Sequence, residues 1–446
     1  MAALVLVASA LALVACRGDG LRTDDDGRTK VVIWHSMVSP LDGSLKRIIN
    51  EFNESQREYR VEAIFQGTYN ESLNKLIASL GARNIPALIQ LDDVSTQIMI
   101  DSSEITPLQE FVDAEGYDLS DFDPKALSYY QQEGVLYAMP FNLAGPILYY
   151  DRQAFSEAGL DPDRPPRTLE EVREYSEKLV VRDESGKVTR AGISLQISGW
   201  LFEQMLAKQG ALYVNNGNGR DGRATEALFA GPEGKEIIEW WDAMVDDGLA
   251  LNSGSSGTDA MLAVAQGKAA MTMQSTAALG AVVALLAIAG EDPARLGTGP
   301  LPAPEGTGGG IVLGGAALWI LRDRPEEEQQ GAWEFLKFAQ QAEQQAKWHV
   351  ETGYFTSRLS AYDLPAAVQR AEQFPQFRTA VQQLRDSPDN AATQGALIGP
   401  FQAVRERLTD AFELVLGGGG DPTAELEAAA EDATEIIRQY NRTAPD

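Results

Sequence analysis

Apolar positions in the first third of the chain alternate between two rhythms. Val31-Val32-Ile33-Trp34 is a short unbroken apolar run, the pattern of a strand covered on both faces. Leu41, Leu45, Ile48, Ile49 and Phe52 then recur at helical spacing. Val61, Ala63 and Phe65 alternate as a strand does, Leu73, Leu76, Ile77 and Leu80 return to the helical period, and Ala87-Leu88-Ile89-Gln90-Leu91 is the next strand. The β-α-β-α-β order predicts a mostly parallel sheet with helices on both faces. Ligands of such sheets lie beyond the carboxyl ends of strands, so the loops to watch follow Trp34, Phe65 and Leu91.

A second region starts at Met139-Pro140-Phe141-Asn142. Ile147-Leu148-Tyr149-Tyr150 reads as a strand, followed by a helix over about 152–158 and a Pro-rich loop over 161–167. Thr168-Leu169-Glu170-Glu171 has the form of a capping box, with Glu171 expected to reach back to the helix start. Helices are expected near 200–209 and 234–246, the second burying Ile237, Ile238, Trp241, Met244 and Val245. Ala269-Ala270-Met271-Thr272-Met273 reads as a strand and 302–310, rich in Pro and Gly, as a crossing. Ile311-Val312-Leu313 and 316–321 return to strand character. Beyond about 325 the pattern is nearly all helical, interrupted at Gly353-Tyr354-Phe355.

Composition narrows the function. Hydrophobic residues make up 44% of the 446 positions, enough for a large core. The net charge of −28 leaves no basic stripe to neutralise a phosphate backbone, which argues against nucleic acid. The apolar run over residues 4–15 is shorter than the ~20 residues that span a bilayer and reads as an export signal. It ends on Cys16, the single cysteine. Leu13-Val14-Ala15-Cys16 looks like a bacterial lipobox, so 1–16 is read as a lipoprotein signal with lipid on Cys16, and 17–29 as a tether outside the cell. The most apolar later stretch, 277–289, reads as a buried helix.

Catalytic signatures are missing. The two histidines, His35 and His349, have no partner at metal-ligand spacing, and there is no G-x-S-x-G elbow, P-loop or G-x-G-x-x-G after a strand. Neither an enzyme nor a metal or cofactor is expected. A secreted phosphodiesterase is the rival from that class, because 65 acidic residues always offer pairs.

Several motifs carry a resemblance. They are Trp34-His35-Ser36-Met37, Met139-Pro140-Phe141-Asn142 running into Leu148-Tyr149-Tyr150-Asp151, and Ala158-Gly159-Leu160-Asp161-Pro162 followed by Pro165-Pro166. Ala270-Met271-Thr272, Gly314-Gly315-Ala316-Ala317-Leu318-Trp319 and Trp348-His349 followed by Thr352-Gly353-Tyr354 complete the set. Together they resemble the extracellular solute-binding proteins of ABC importers (family 1). They are most similar to the branch that binds glycerol-3-phosphate and glycerophosphodiesters. The resemblance runs from Val31 to about Ala430. It implies an α/β, two-lobed periplasmic-binding-protein fold of type II, each lobe a mostly parallel sheet flanked by helices. Lobe 1 would be 30–142 plus 306–353 and lobe 2 145–304 plus 355–440. Crossings near 143–146, 303–308 and 353–357 would form the hinge. A membrane permease and a monomeric state are implied as well.

The family's ligand contacts fall on Tyr69, Asp93, Ser275, Gly315 and Tyr354. Its late-helix arginine falls on Arg405, with Arg407 close enough to trade places. Where the family has a serine after Pro-Phe-Asn, this chain has Ala144, one hydroxyl donor fewer. Asp93 suits glycerol hydroxyls, or is only a helix cap. Arg405 suits phosphate oxygens, or is a solvated charge. Trp34 and Trp200 are read as stacking platforms or as core and cleft wall, Ile197 as facing the cleft, and His35 as structural. Glycerophosphocholine is expected to be preferred over glycerol-3-phosphate, because one arginine beside Asp93 suits a dianion poorly. The rival binding reading is an uncharged sugar or oligosaccharide.

Overall fold

The computed structural model describes residues 22–80, 84–304 and 308–445. The expected strands of the first third form β1 (Thr29–His35), β2 (Tyr59–Phe65) and β3 (Leu88–Asp92). After them come β4 (Met139–Ala144), β5 (Pro146–Asp151), β6 (Val188–Leu195), β7 (Ala250–Asn252), β8 (Ala269–Ser275), β9 (Leu296–Pro300) and β10 (Gly314–Ile320). One sheet has the order β2-β1-β3-β10-β4 and the other β7-β6-β8-β5-β9, with the short strand Val181–Arg182 beside β6. β1 runs parallel to β2 and β3, while β10 is antiparallel to both β3 and β4. In the second sheet β6 is parallel to β7 and β8, and β5 is antiparallel to β8 and β9. Apart from the short antiparallel strand Val181–Arg182, each sheet thus has one reversed strand, β10 or β5, and the rest run the same way, the expected mostly parallel character. The reversal lets a chain segment return from the other sheet.

Only Gly145 separates β4 of the first sheet from β5 of the second. A Cβ there would lie 2.7 Å from Ile311 Cδ1 and 3.2 Å from a Phe355 ring carbon, so the three connecting stretches run side by side. The Phe355 N–H donates to the Leu143 carbonyl at 2.8 Å. Arg223 also reaches Asp101 with two bonds of 2.9 and 3.0 Å, and the Tyr440 hydroxyl donates to Asp101 at 2.8 Å. Asp101 follows β3, whereas Arg223 follows β6 of the second sheet and Tyr440 lies in the helix Pro422–Asn441, which packs on the helix Pro232–Asp246 between β6 and β7, so these contacts tie the two sides together.

Three local expectations are corrected. The 277–289 stretch contains the helix Leu279–Ile288, but it is not a buried helix: Leu285 is 63% and Ile288 83% exposed. Its residues are apolar all round, so pattern alone could not say which face meets the core. Ile311-Val312-Leu313 is buried but belongs to the crossing, not to a strand. The Thr168 side chain does cap its helix through the Glu171 N–H, yet the Glu171 carboxylate accepts from the Arg167 N–H at 2.7 Å. The reciprocal box forms instead at Thr68 and Glu71, ahead of the helix Tyr69–Ser79. Cys16 lies outside the described residues.

Candidate ligand site between the sheets

The first-sheet side is built at strand ends. Asp93 opens a short 3-10 turn, Asp93–Ser95, directly after β3, which leaves its carboxylate at the carboxyl end of that strand, buried. Tyr69 begins the helix after β2, and its hydroxyl accepts from Asn142 Nδ2 at 3.0 Å. Asn142 Oδ1 accepts from Gln90 Nε2 at 2.7 Å, and Gln90 Oε1 accepts from the Ser36 N–H at 3.0 Å. A polar chain therefore links the ends of β1, β3, β4 and β2. Tyr354 joins it from the third crossing: burial pushes its phenol up to about 12, against an opposing hydrogen bond from Asn142. Its ring stacks on Trp348 with centroids 5.6 Å apart, and its carbonyl is 2.6 Å from His349 Nδ1.

From the second-sheet side comes the helix Gly199–Lys208. A Cβ on Gly314, the first residue of β10, would lie 3.2 Å from Trp200 Nε1 and 3.4 Å from Asp93 Oδ2. Gly314 is thus the floor over which Trp200 and Asp93 approach each other. Ala144 pairs with Gly314 in the ladder. Three residues beyond Trp200, Glu203 Oε1 and Oε2 accept from Arg405 Nε and Nη2 at 2.8 and 2.5 Å. Arg405 belongs to the helix Phe401–Leu416, and a Cβ on Gly199 would stand 2.6 Å from its Cγ. Glycine there lets the two helices meet closely enough for the pair to form.

The electrostatics are lopsided. Burial opposes the charge on Arg405, but Glu203, Asp93 and Asp92 together outweigh it and push its pKa up. Burial likewise pushes Asp93 up, to about 7; Arg405 pulls it back, while Asp92 and Glu203 repel its charge. Asp92 and Glu203 are raised for the same first reason. Three carboxyl groups thus surround one guanidinium in a low-dielectric site.

The site residues expected from sequence fall into two sets. Tyr69, Asp93, Ala144, Trp200, Tyr354 and Arg405 are brought together with Asn142, Gly314 and Glu203. Arg407 points away and pairs with Asp410, which decides between the two arginines on position alone. Gly315 is fixed by the backbone: its φ is +120° and a Cβ would stand 2.1 Å from the Asn142 carbonyl oxygen. The Ser275 hydroxyl accepts from the Ala277 N–H at 3.2 Å, and its carbonyl accepts from the Tyr149 hydroxyl at 2.9 Å. Among the described residues no hydrogen bond joins Ser275 to the Asp93–Arg405 group. Trp34 is buried in β1 with the Lys75 ammonium 5.2 Å above its ring, and Ile197 is buried in the core ahead of the Gly199 helix. His35 is buried and accepts from the Met37 N–H through Nδ1 at 3.3 Å, a structural role. Sequence reasoning missed Glu203, Asn142 and Gly314 as site residues. The last two lay inside quoted motifs, but Glu203 is one acid among 65, and its partner is 202 positions away. Among the described residues no group of three His, Cys, Asp or Glu is arranged to hold a metal ion.

Residues 47–376 match the family of bacterial extracellular solute-binding proteins. The chain belongs to that family. It is 29% identical over 448 residues to the sn-glycerol-3-phosphate-binding periplasmic protein UgpB of Escherichia coli (strain K12), with 98% of each chain covered. Among solved structures it resembles UgpB from Mycobacterium tuberculosis in complex with glycerophosphocholine. There the TM-score is 0.78 at 22% identity, covering 93% of this chain and 100% of that one. The cyclic alpha-maltosyl-1,6-maltose binding protein from Arthrobacter globiformis matches with a TM-score of 0.74 at 22% identity, over 93% and 100%. These likenesses establish the type II periplasmic-binding-protein fold, with its two helix-flanked sheets. No helix among the described residues is long and apolar enough to cross a membrane.

Proposed function

We propose that this protein captures a glycerophosphodiester or glycerol-3-phosphate for an ABC importer, with glycerophosphocholine preferred. The observation that carries the reading is the meeting of Arg405, a half-buried fixed cation, with Asp93, Trp200 and the Tyr69–Asn142 pair where the two sheets face each other. The guanidinium suits phosphate oxygens, the carboxylate and phenols suit glycerol hydroxyls, and the indole offers a face to a quaternary ammonium. The Escherichia coli relative is named for sn-glycerol-3-phosphate, and the Mycobacterium tuberculosis neighbour holds glycerophosphocholine.

In this reading the lobes are 30–142 with 306–353, and 145–304 with 355–440. They close about the connecting stretches at Gly145, Ile311 and Phe355, and the closed, ligand-bound form is what a membrane permease receives. Lipid on Cys16 tethers the protein outside the cell. Cys16→Ser is expected to release it from the membrane fraction; retention of the variant, with no lipid on the wild-type protein by mass spectrometry, would remove the anchor from the picture.

A sugar is the second reading. Glu203 already occupies two N–H groups of Arg405, and the Arthrobacter globiformis neighbour is named for a cyclic maltosyl-maltose. Titration calorimetry against glycerophosphocholine, glycerol-3-phosphate and maltose decides. Heat from the esters and none from maltose is expected, and the reverse overturns the phosphate-ester reading. Incubation with glycerophosphocholine is expected to release neither choline nor phosphate.

A further inference from the structure

We propose that Glu203 sets the charge selectivity of this site: it occupies two donors of Arg405, admits a singly charged phosphodiester and turns away a doubly charged phosphomonoester. The inference rests on the phosphate-ester reading above.

The geometry is specific. Both Glu203 oxygens accept from the guanidinium, one from Nε and one from Nη2, which is the arrangement of an ionised carboxylate with its counter-ion. Three of the five N–H donors, two on Nη1 and one on Nη2, remain for a ligand. A phosphate oxygen seated there lies within a few ångströms of the Glu203 carboxylate, and Asp93 and Asp92 act on the same guanidinium. The Glu203 side chain is 12% exposed, so water screens this repulsion poorly.

One negative charge on the ligand is compensated by the remaining attraction of Arg405. A second is not matched by Arg405, which carboxyl groups already outnumber. Selectivity by repulsion of the wrong ligand needs no extra contact to the right one. Neighbouring helix positions support the role. Trp200 and Glu203 stand three residues apart on one helix, so they share a face, and Gly199 makes room for the arginine stem. The same short segment therefore supplies an aromatic wall, a counter-charge and the clearance that holds Arg405 in place.

Calorimetry on wild type and Glu203→Gln, with glycerophosphocholine and glycerol-3-phosphate at pH 8, reads the effect directly. Glutamine keeps the shape and one acceptor while removing the charge. Glycerol-3-phosphate is expected to bind Glu203→Gln at least tenfold more tightly than wild type, and glycerophosphocholine to change less than threefold. A parallel loss for both ligands would make Glu203 a support for Arg405 and nothing more, and an unchanged preference would also overturn the proposal. A second comparison needs no variant. Glycerophosphomethanol carries one negative charge and no cation, and wild type is expected to bind it at least fivefold more tightly than glycerol-3-phosphate. Equal or weaker binding would show that the dianion is not rejected for its charge. Should wild type bind maltose and no ester, the functional reading fails and this inference with it. Should esters bind with selectivity untouched by Glu203→Gln, only the inference fails.

Discussion

Arg405 is half-buried between helices and keeps its charge, because Glu203, Asp93 and Asp92 favour it. A ligand oxygen on its free Nη1 would form a charge-assisted bond out of bulk water. Arg405→Ala is expected to weaken both phosphate esters by about 2 kcal/mol or more, read by calorimetry; an unchanged affinity would remove Arg405 from the site. Asp93 makes a different measurement possible. Burial raises it from an ordinary value of 3.8 to about 7. Between those pH values the native state binds more protons than the unfolded chain. This group's contribution therefore falls as pH rises through the window, and its full penalty applies above pH 7. Asp93→Asn is expected to stabilise the ligand-free protein at pH 8 by up to about 4 kcal/mol and to do little near pH 4. Equal shifts in urea midpoint at both pH values would refute the burial argument. His349 works in the opposite sense. Burial lowers it to about 4, so stability is lost as pH falls from about 6.5 to 4. The wild-type profile combines the two, and the Asn variant separates them.

At the scale of elements, β10 shows how one strand serves both packing and site. Gly314 gives Trp200 and Asp93 room, and Gly315 adopts a φ of +120° against the Asn142 carbonyl, where the ladder with β4 goes on to shift register after Ala316. Gly315→Ala meets both a forbidden backbone region and a 2.1 Å contact with main chain, which cannot rotate away. A loss of about 2–3 kcal/mol or more is expected, measured by chemical denaturation. A loss under about 0.5 kcal/mol, the range of ordinary surface changes, would show that the strand relaxes. The helix Gly199–Lys208 is the counterpart on the other side. Its first turn brings Gly199 against Arg405, Trp200 against Gly314 and, one turn on, Glu203 against the guanidinium. Ser198 caps that helix through the Leu201 N–H, which fixes where the turn begins and hence which side chains face the site.

For the whole molecule, apolar and polar contacts both join the two sides. At the junction, Gly145, Ile311 and Phe355 pack side by side, apolar and close. Elsewhere, Asp101 is held by Arg223 and Tyr440 through polar bonds. A ligand that binds the folded state and not the unfolded chain raises stability. At a hundredfold excess over Kd it is expected to add about 2.7 kcal/mol of stability, seen as a rise in melting temperature with glycerophosphocholine. No rise with either ester, beside a rise with maltose, would favour the sugar reading.

Local periodicity was enough for most of the framework. Runs such as Val31–Trp34 and the alternation around Val61 can be read because strand and helix each impose a fixed spacing on buried side chains. Tyr69, Asp93 and Arg405 could be named as candidates only because motifs elsewhere in the chain resemble a family whose ligand contacts fall on those positions. What the sequence could not supply depends on distance in space. The helix Leu279–Ile288 is apolar all round, so only its neighbours decide that Leu285 and Ile288 face outward. Arg405 rather than Arg407 enters the site because a helix turns by 100° per residue and only packing fixes its rotation. Glu203 gains meaning only from an arginine 202 positions away. Charge pairing across that separation leaves no local pattern, and it was the tertiary structure that decided how much of the site's one arginine is left for a ligand.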